Sequence, residues 1–510
     1  MTGKPGVGDA TSPASPAPAA PEADPPSSLG RTMRRGAVIS AGMLVVVQLV
    51  AFAQTLVLAR ILSPAEVGVF AAGTVLSSFL VTFSEGGMRN ALVQRRDRLE
   101  DAANTAFWST LIAGIGWALF AAAVAPLIGL FFDSELAAAV AFATAGSIVL
   151  HALTNVPEAL LQRRFDFRQR LIVQPVVAVS YAVTSVVLAL RGMGVWSLVV
   201  ATYVSHVCWV VSTWVIARWR PGKGTPSRAL WRELARFSAP MIIGTGLDRA
   251  QDMFQSAIVG RFLDTAALGN YRYGRRLAAL PGTAIIEVGS YVLFPAFSRI
   301  AGDPVRFRTA FLRALTLLWV ASIPLAGLLL AVGVPLAVLL LGEPWRGAGV
   351  IFAATAFVGP GTALSAVGME SIKGSGKTHL INRVTAVGIG SGVVLFLALA
   401  NFGLVGIGIA LSTATFAAGL TSVLLARREA GVSVREIVRR MYPALIAAAV
   451  AAVPVVVLEH LMLHSDQLHL GVGLAVIVSE ALVYLSIYGG VLYLIARPLV
   501  KEMIGAIRAR

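Results

Sequence analysis

Long uninterrupted apolar segments restrict the fold of this chain more than any other feature. Of 510 residues, 57% are hydrophobic and only 13% are charged, whereas about 25% charge is usual in a soluble domain. A run of ~20 apolar residues spans ~30 Å of hydrocarbon when it is helical. Because lipid offers the backbone no hydrogen bonds, each segment must satisfy its own amides, and helix is the structure that does so. The fold class is therefore predicted to be all-α and integral to the membrane.

The apolar segments predict fourteen transmembrane helices. A Pro-, Ala- and Ser-rich stretch precedes them, and residues 1–33 are expected to form a disordered cytoplasmic tail. The predicted spans are 37–58, 67–88, 104–130, 137–160, 171–190, 195–217, 237–259, 273–297, 311–341, 348–371, 380–400, 403–426, 441–460 and 470–496.

The distribution of basic residues supports this count and places both termini in the cytoplasm. With the N-terminus inside, 34 of the 42 Lys and Arg residues fall in inside segments, seven fall outside, and Arg249 lies within a span. Cytoplasmic loops are the ones that carry the excess of Lys and Arg. A single miscounted span would reverse the side of every later loop. Four of the seven outside exceptions lie between Arg261 and Arg276, and such exceptions often mark functional positions.

An internal repeat divides the spans into two sets of six. Residues 54–68 (QTLVLARILSPAEVG) match residues 255–269 (QSAIVGRFLDTAALG) without a gap, and Gly68 pairs with Gly269. Six spans is an even number, so the two copies have the same orientation, and parallel repeats place the substrate site between them. The predicted parts are a lobe at 34–236, a second lobe at 237–432, and two additional helices with the cytoplasmic end at 433–510.

Several function classes are not expected. The net charge of +16 sits between the apolar segments, so nucleic acid is not the expected partner. The lone Cys208 supports neither a disulfide framework nor a thiolate metal site. The stretch KGSGKTHL at 373–380 has the wrong glycine spacing for a phosphate-binding loop. We expect no cofactor, no metal and no enzymatic activity.

Several segments resemble polysaccharide exporters of the Wzx type, within the multidrug/oligosaccharidyl-lipid/polysaccharide exporter superfamily. The resemblance covers about residues 34–430 and is strongest for the branch that exports exopolysaccharide repeat units such as those of colanic acid or succinoglycan. It rests on ARILSPAEVGVF (59–70), ALVQRRDRLEDAANTAFW (91–108), RRFDFRQR (163–170), GMGVWSLV (192–199), ALGNYRYGRRLAALP (267–281) and VLFPAFSRIAGDPVRFR (292–308).

The resemblance implies an inner-membrane flippase for an undecaprenyl-diphosphate-linked oligosaccharide, with two lobes that alternate access to a central cavity. It also implies a polysaccharide polymerase and a chain-length regulator as partners, and a proton or sodium ion as the coupling ion. Related sequences often carry an acid where this chain has Gln255, and its nearest acid is Asp252. The alternatives are a multidrug/cation antiporter of the same superfamily or a membrane-embedded polymerase or ligase.

Two groups of charged residues are candidates for substrate binding. Asp248, Arg249 and Asp252 lie within one predicted span, where charged groups normally face a cavity or a partner. They either line the cavity or form an ion pair between helices. Three arginines share one face of the next helix. They either receive the diphosphate, which suits the bidentate guanidinium, or extend to lipid headgroups. These three are Arg272, Arg275 and Arg276.

Other ionisable residues are candidates for coupling or gating. Glu287 lies in the middle of a predicted span and Glu370 near the inner end of another, and both are coupling candidates together with Asp252. A buried carboxylate binds protons more tightly than an exposed one. Glu85 and Arg89 end the second span, where they form either an inner gate or a simple ion pair.

Overall fold

The computed structural model describes residues 26–501 except 86, 96 and 165–168, without the side chains of 26–41, 169–170 and 280–292. Within this described part the protein is helical and contains no strand. The first half holds α1 (Pro26–Ile61), α2 (Pro64–Glu85), α3 (Met88–Gln94), α4 (Leu99–Phe132), α5 (Glu135–Ala145), α6 (Ser147–Arg163), α7 (Gln174–Leu190) and α8 (Val195–Ala217). The second half holds α9 (Arg228–Phe262), α10 (Thr265–Ile300), α11 (Pro304–Leu341), α12 (Arg346–Ala354), α13 (Val358–Gly374), α14 (His379–Leu399), α15 (Gly403–Glu429), α16 (Val434–Leu458) and α17 (Leu470–Ile495).

The prediction of an all-α integral membrane protein is confirmed. In the described residues, eleven segments are long and apolar enough to cross a membrane, and one of them, His379–Glu429, contains both α14 and α15. Helices α9 and α10 are not among the eleven. Helix α9 carries three charged residues within five positions, and part of α10 lies where side chains are not described. The count of fourteen spans stays a prediction.

The first helix begins earlier than expected. Helix α1 starts at Pro26, so the end of the segment predicted to be disordered, 1–33, is helical. Proline is well accommodated in the first helical turn, where its missing N–H leaves no bond unmade. Residues 1–25 lie outside the described residues.

Two predicted spans are each broken into two helices. The span at 137–160 breaks at Gly146, where the Tyr203 hydroxyl of α8 donates to the freed carbonyl of Ala143. The span at 348–371 breaks after Ala354, where the Ser412 hydroxyl of α15 donates to the Ala354 carbonyl oxygen over 2.7 Å. A side chain inserted into the backbone ladder is an established cause of such kinks. Both breaks therefore depend on a polar residue of a neighbouring helix.

Helices α2 and α10 cross at two glycines. A Cβ atom added to Gly68 would overlap the carbonyl of Thr265, and one added to Gly269 would overlap the carbonyl of Pro64. Glycine permits this backbone approach because it has no Cβ. The crossing joins the first six spans to the next six at their predicted outer end.

The segment between α8 and α9 is held against the start of α4. The buried Asn104 side chain donates to the carbonyl of Gly224 and accepts from the Gly222 N–H over 3.2 Å. The Asp101 carboxylate accepts from the Thr225 N–H over 3.0 Å. These bonds satisfy loop backbone groups that would otherwise be unpaired.

The last two helices pack on α11. The Trp319 indole donates to the carbonyl of Met441 over 3.0 Å, and the Tyr488 hydroxyl donates to the carbonyl of Val320 over 2.9 Å. Since buried aromatic residues with a polar atom need a partner for it, these bonds fix the depth at which α16 and α17 dock.

Candidate functional site

A polar cavity of about 400 Å³ lies between α2, α9 and α10. One wall comes from the first six spans, and the other two come from the start of the second six. Five of the six predicted substrate-binding residues line it: Arg249, Asp252, Arg272, Arg275 and Arg276. The structure thus brings residues of α9 and α10 together around one cavity. The sequence alone placed each group on its own helix.

Arg275 is held by three neighbours. Its guanidinium donates to Asp252 Oδ1 over 2.7 Å, to Gln255 Oε1 over 3.0 Å and to the Tyr271 hydroxyl over 3.3 Å. Tyr271 in turn donates to Gln255 Oε1 over 2.9 Å. The Asp252–Arg275 pair joins α9 to α10 and so stabilises the cavity wall. Because the two charges are paired with each other, they are not both available to a ligand.

The other arginines of the cavity have fewer hydrogen-bond partners than Arg275. The Arg276 side chain donates to the carbonyl of Ala51 in α1 over 3.1 Å. Arg249 and Arg272 are exposed to the cavity, and within the described residues neither has a hydrogen bond or ion pair. Among the residues whose side chains the structure describes, four arginines and one aspartate line the cavity, which is an excess of three positive charges. Such a site is suited to an anion with several oxygen acceptors.

The opposite wall is formed by α2. Val75, Ser78 and Phe79 face the arginines across the cavity. Phe79 packs edge-on against Phe83 with ring centroids 5.0 Å apart. The cavity thus has one cationic wall and one mainly apolar and aromatic wall.

Two predicted residues lie elsewhere, and the side chain of a third is not described. Asp248 is exposed on α9 and does not line the cavity. Glu370 is buried on α13 and accepts from Lys373 Nζ over 2.8 Å. Glu287 lies on α10 in the stretch whose side chains are not described. Nothing in the structure tests the predicted coupling roles of Glu287, Glu370 and Asp252.

Glu85 and Arg89, the predicted gate, belong to a network within the first six spans that we call the inner cluster: Glu85, Arg89, His151, Glu158 and Trp209. Arg89 Nη2 lies 2.9 Å from Glu158 Oε2 and 3.6 Å from Glu85 Oε1. The Trp209 indole donates to Glu158 Oε1 over 2.6 Å, and His151 Nε2 lies 3.3 Å from Glu85 Oε1. The pair is therefore not an isolated ion pair at the loop.

Sequence reasoning did not identify Tyr271, Gln255 and Glu158 as members of these polar sites. In the sequence Gln255 stands out only as a replacement for an acid, and its carbonyl oxygen accepts from both Tyr271 and Arg275. Glu158 follows a proline inside a predicted span, and a carboxylate at such a position was the available signal.

Comparison with known proteins identifies the family. The sequence profile described as "Polysaccharide biosynthesis protein" matches residues 57–350, more than half of the chain. The chain belongs to this polysaccharide biosynthesis protein family. The matched range contains all the cavity-lining residues and the whole inner cluster.

Curated relatives are 23–28% identical to this chain over the aligned residues. The chain is 28% identical over 301 residues to the succinoglycan biosynthesis transport protein ExoT of Rhizobium meliloti. This alignment covers 57% of this chain and 58% of the relative. It is 23% identical over 318 residues to the lipopolysaccharide biosynthesis protein WzxC of Escherichia coli, covering 61% and 63%. The matches thus span about three-fifths of each relative. With the membrane helices, they place this family member in a bacterial inner membrane as a multi-pass protein.

Solved structures share the fold. The lipid II flippase MurJ in an inward closed conformation superposes with a TM-score of 0.72 at 13% identity, covering 91% of this chain and 100% of that chain. An inward-facing multidrug resistance MATE family transporter superposes with a TM-score of 0.61 at 14% identity, covering 76% and 94%. At these identities the likeness extends to the fold alone, and activity must be argued from the site.

Proposed function

We propose that this protein is a flippase that moves a diphosphate-linked oligosaccharide on a polyprenyl lipid across the inner membrane for surface polysaccharide synthesis. The observation that carries the proposal is the cavity between α2, α9 and α10, whose described lining residues carry an excess of three positive charges. The names of two relatives, a succinoglycan transport protein and a lipopolysaccharide biosynthesis protein, point to the same pathway.

The chemistry of the substrate suits the cavity. A diphosphate that crosses hydrocarbon must keep cations around it, because an unpaired charge in a low-dielectric medium is very costly. Arg249 and Arg272 present guanidinium groups to the cavity, and each can bind two phosphate oxygens at once. Phe79 and Ser78 on the facing wall offer an aromatic surface and a hydroxyl to the first sugar.

The movement that we propose is a rocking of two six-helix lobes, 34–236 and 237–432, about the α2–α10 crossing. Gly68 and Gly269 are equivalent in the internal repeat and contact each other, as residues on a twofold axis do. The two helix breaks are also equivalent, since Tyr203 and Ser412 hold them from matching helices. Helices α16 and α17 then form an appendage on the second lobe. We further propose that both termini lie in the cytoplasm.

The charge of the cavity separates this proposal from its alternative. A multidrug/cation antiporter shares the fold, as the TM-score of 0.61 indicates. However, the charged residues that the structure describes along the cavity are four arginines and one aspartate, and this excess of positive charge repels a cationic drug. We therefore propose an anionic substrate. A polysaccharide polymerase and a chain-length regulator are the partners to which such a substrate would pass.

The test is the loss of the gene. A deletion strain should lack the surface polymer and accumulate lipid-linked repeat units in the inner leaflet, and the wild-type gene should restore polymer. The Arg272→Gln variant should reach the membrane at the wild-type level but fail to restore it. Arg191→Gln, which removes an exposed arginine at the end of α7, is the matched control and should restore it. Normal polymer in the deletion strain, with no second exporter gene present, would contradict the proposal.

A further inference from the structure

A second cavity lies within the first six spans. It has a volume of about 450 Å³ and is bounded by α1, α6, α7 and α8, together with Arg89 of α3. Ligand pockets in proteins usually measure ~300–1,000 Å³. None of the described residues that line it belongs to the cavity between α2, α9 and α10, which we call the diphosphate cavity. The second cavity is therefore a separate space, large enough for a ligand of its own.

The described residues that line the second cavity carry no net charge. Arg89 and Glu158 are the charged ones, and they pair with each other over 2.9 Å. The diphosphate cavity, by contrast, has an excess of positive charge among its described residues. A balanced lining attracts neither a diphosphate nor a cation strongly. The ligand that this cavity favours is uncharged.

Gln48 and Gln174 bring amide groups to the second cavity from two helices. Gln48 lies in the middle of the predicted span 37–58, and Gln174 begins α7. Neither side chain has a hydrogen-bond partner among the described residues. Each amide has two N–H donors and one carbonyl acceptor. Because polar side chains inside a membrane normally face a partner, a ligand or a wet cavity, these two are available to a ligand with both donors and acceptors.

Trp209 gives the second cavity an aromatic surface. Its indole N–H donates to Glu158 Oε1 over 2.6 Å, so the carbon atoms of the ring are what it presents to a ligand. Leu44, Val47 and Val177 add further apolar surface. A sugar ring carries hydroxyl groups around its edge and C–H groups on its faces. It therefore suits a site that combines free amides with aromatic and apolar side chains.

The second cavity lies beside the diphosphate cavity. On α1, Gln48 lines the second cavity, and one turn later the carbonyl of Ala51 accepts from Arg276 of the diphosphate cavity over 3.1 Å. On α7, Ala178 lines the second cavity, and one turn later Tyr181 lies within electrostatic range of Arg276. One turn of helix is ~5.4 Å long. A diphosphate at the arginines and the sugars attached to it can thus occupy both cavities at once.

We propose that the second cavity binds an uncharged sugar of the oligosaccharide headgroup while the arginines of the diphosphate cavity hold its diphosphate. The inference rests on the proposed function and adds a second site of contact to it. Gln48 and Gln174 bind the sugar hydroxyl groups, so they matter for a lipid that carries sugars and not for one that lacks them. Two linked contacts also make the sugar-bearing lipid the tighter ligand, because the second contact forms within the same complex.

The experiment compares two lipids by native mass spectrometry of the purified full-length protein. One is the lipid-linked repeat unit extracted from the deletion strain, and the other is undecaprenyl diphosphate without sugar. The wild type should bind the repeat unit at least about tenfold more tightly. Gln48→Leu and Gln174→Leu, which nearly keep the side-chain size, should each weaken binding of the repeat unit by about threefold to tenfold, the effect of a lost hydrogen bond or two. Both should bind undecaprenyl diphosphate as the wild type does.

Two further variants serve as controls. Gln467→Leu, at an exposed position outside the second cavity, should change neither affinity. Arg272→Gln, in the diphosphate cavity, should weaken the binding of both lipids. The two sites are thus distinguished by which lipid each variant affects.

Three results would overturn the sugar site and leave the proposed function intact. The first is equal affinity of the wild type for the two lipids. The second is wild-type binding of the repeat unit by both glutamine variants, which is expected if the cavity holds only the headgroup of a membrane lipid. The third is an equal loss for both lipids in each glutamine variant, because such an effect is not specific to sugars. If neither lipid binds to the wild type, the proposed function fails and the sugar site fails with it.

Discussion

Gly68 of α2 and Gly269 of α10 face each other at the crossing of their helices. The backbone at each glycine occupies the space that a side chain on the other would need. A Cβ atom on either glycine would lie 3.0 Å from the backbone nitrogen of the other. Each would also overlap a carbonyl of the opposite helix, that of Thr265 or Pro64, and these two residues occupy equivalent positions in the repeat. The contact is therefore self-complementary, as in a twofold interface.

Alanine at either glycine should open the outer side of the protein. The added methyl forces α2 and α10 apart, and overpacking of this kind costs about 1–3 kcal/mol. We expect Gly68→Ala and Gly269→Ala to have similar effects. Both should increase labelling by a membrane-impermeant thiol reagent at a cysteine placed at Ser78, in a Cys208→Ala background.

Gly116→Ala is the matched control, because a Cβ at this position in α4 meets no atom within 4 Å. It should label like the parent protein. Unchanged labelling in both Gly68→Ala and Gly269→Ala would show that the crossing does not close the cavity. A large effect of one alanine and none of the other would argue against the twofold relationship.

Asp252→Asn should strengthen the binding of undecaprenyl diphosphate several-fold. The substitution removes the one carboxylate among the described residues that line the cavity, so the excess of positive charge there rises, and Arg275 keeps its bonds to Gln255 and Tyr271. Affinity can be measured by native mass spectrometry of the purified protein. Asp97→Asn changes the net charge equally at an exposed loop position and should leave the affinity unchanged. Weaker binding in Asp252→Asn would mean that the carboxylate itself contacts the ligand.

Asn104→Ala should release the connection between the two halves of the chain. The variant loses both bonds to the segment around Gly222 and Gly224, and this segment contains the basic residue Lys223. Trypsin should then cut there at least several times faster than in the wild type, in a time course followed by gel electrophoresis. Asn401→Ala, at an exposed position, should be cut at the wild-type rate. Equal rates for all three proteins would show that Asn104 does not restrain the segment.

The membrane helices could be predicted wherever an apolar run is bounded by local signals. The predicted span 195–217 coincides with α8, because its apolar run is bounded by Gly194 at one end and the charged Arg218 at the other. The breaks at Gly146 and after Ala354 could not be predicted. They depend on hydroxyl groups that Tyr203 and Ser412 bring from other helices.

The residues of the cavity could be predicted only in part. Arg272, Arg275 and Arg276 stand out because they break the charge rule for outside segments, and all three line the cavity. The commitment of Arg275 to Asp252 was not apparent, since the partner lies on another helix. The same holds for Arg89 and Glu158, which are far apart in sequence and adjacent in space.

The central claim is that Arg249 and Arg272, which have no hydrogen bond or ion pair within the described residues, bind a diphosphate headgroup. The most direct measurement compares the binding of undecaprenyl diphosphate and uncharged undecaprenol to the purified protein and to Arg249→Gln and Arg272→Gln. The wild type should prefer the diphosphate, and each variant should lose about tenfold to a hundredfold in affinity, because a hydrogen bond to a charged group contributes ~1.5–3 kcal/mol. Equal affinity for the two lipids, or unchanged diphosphate binding in both variants, would contradict the account.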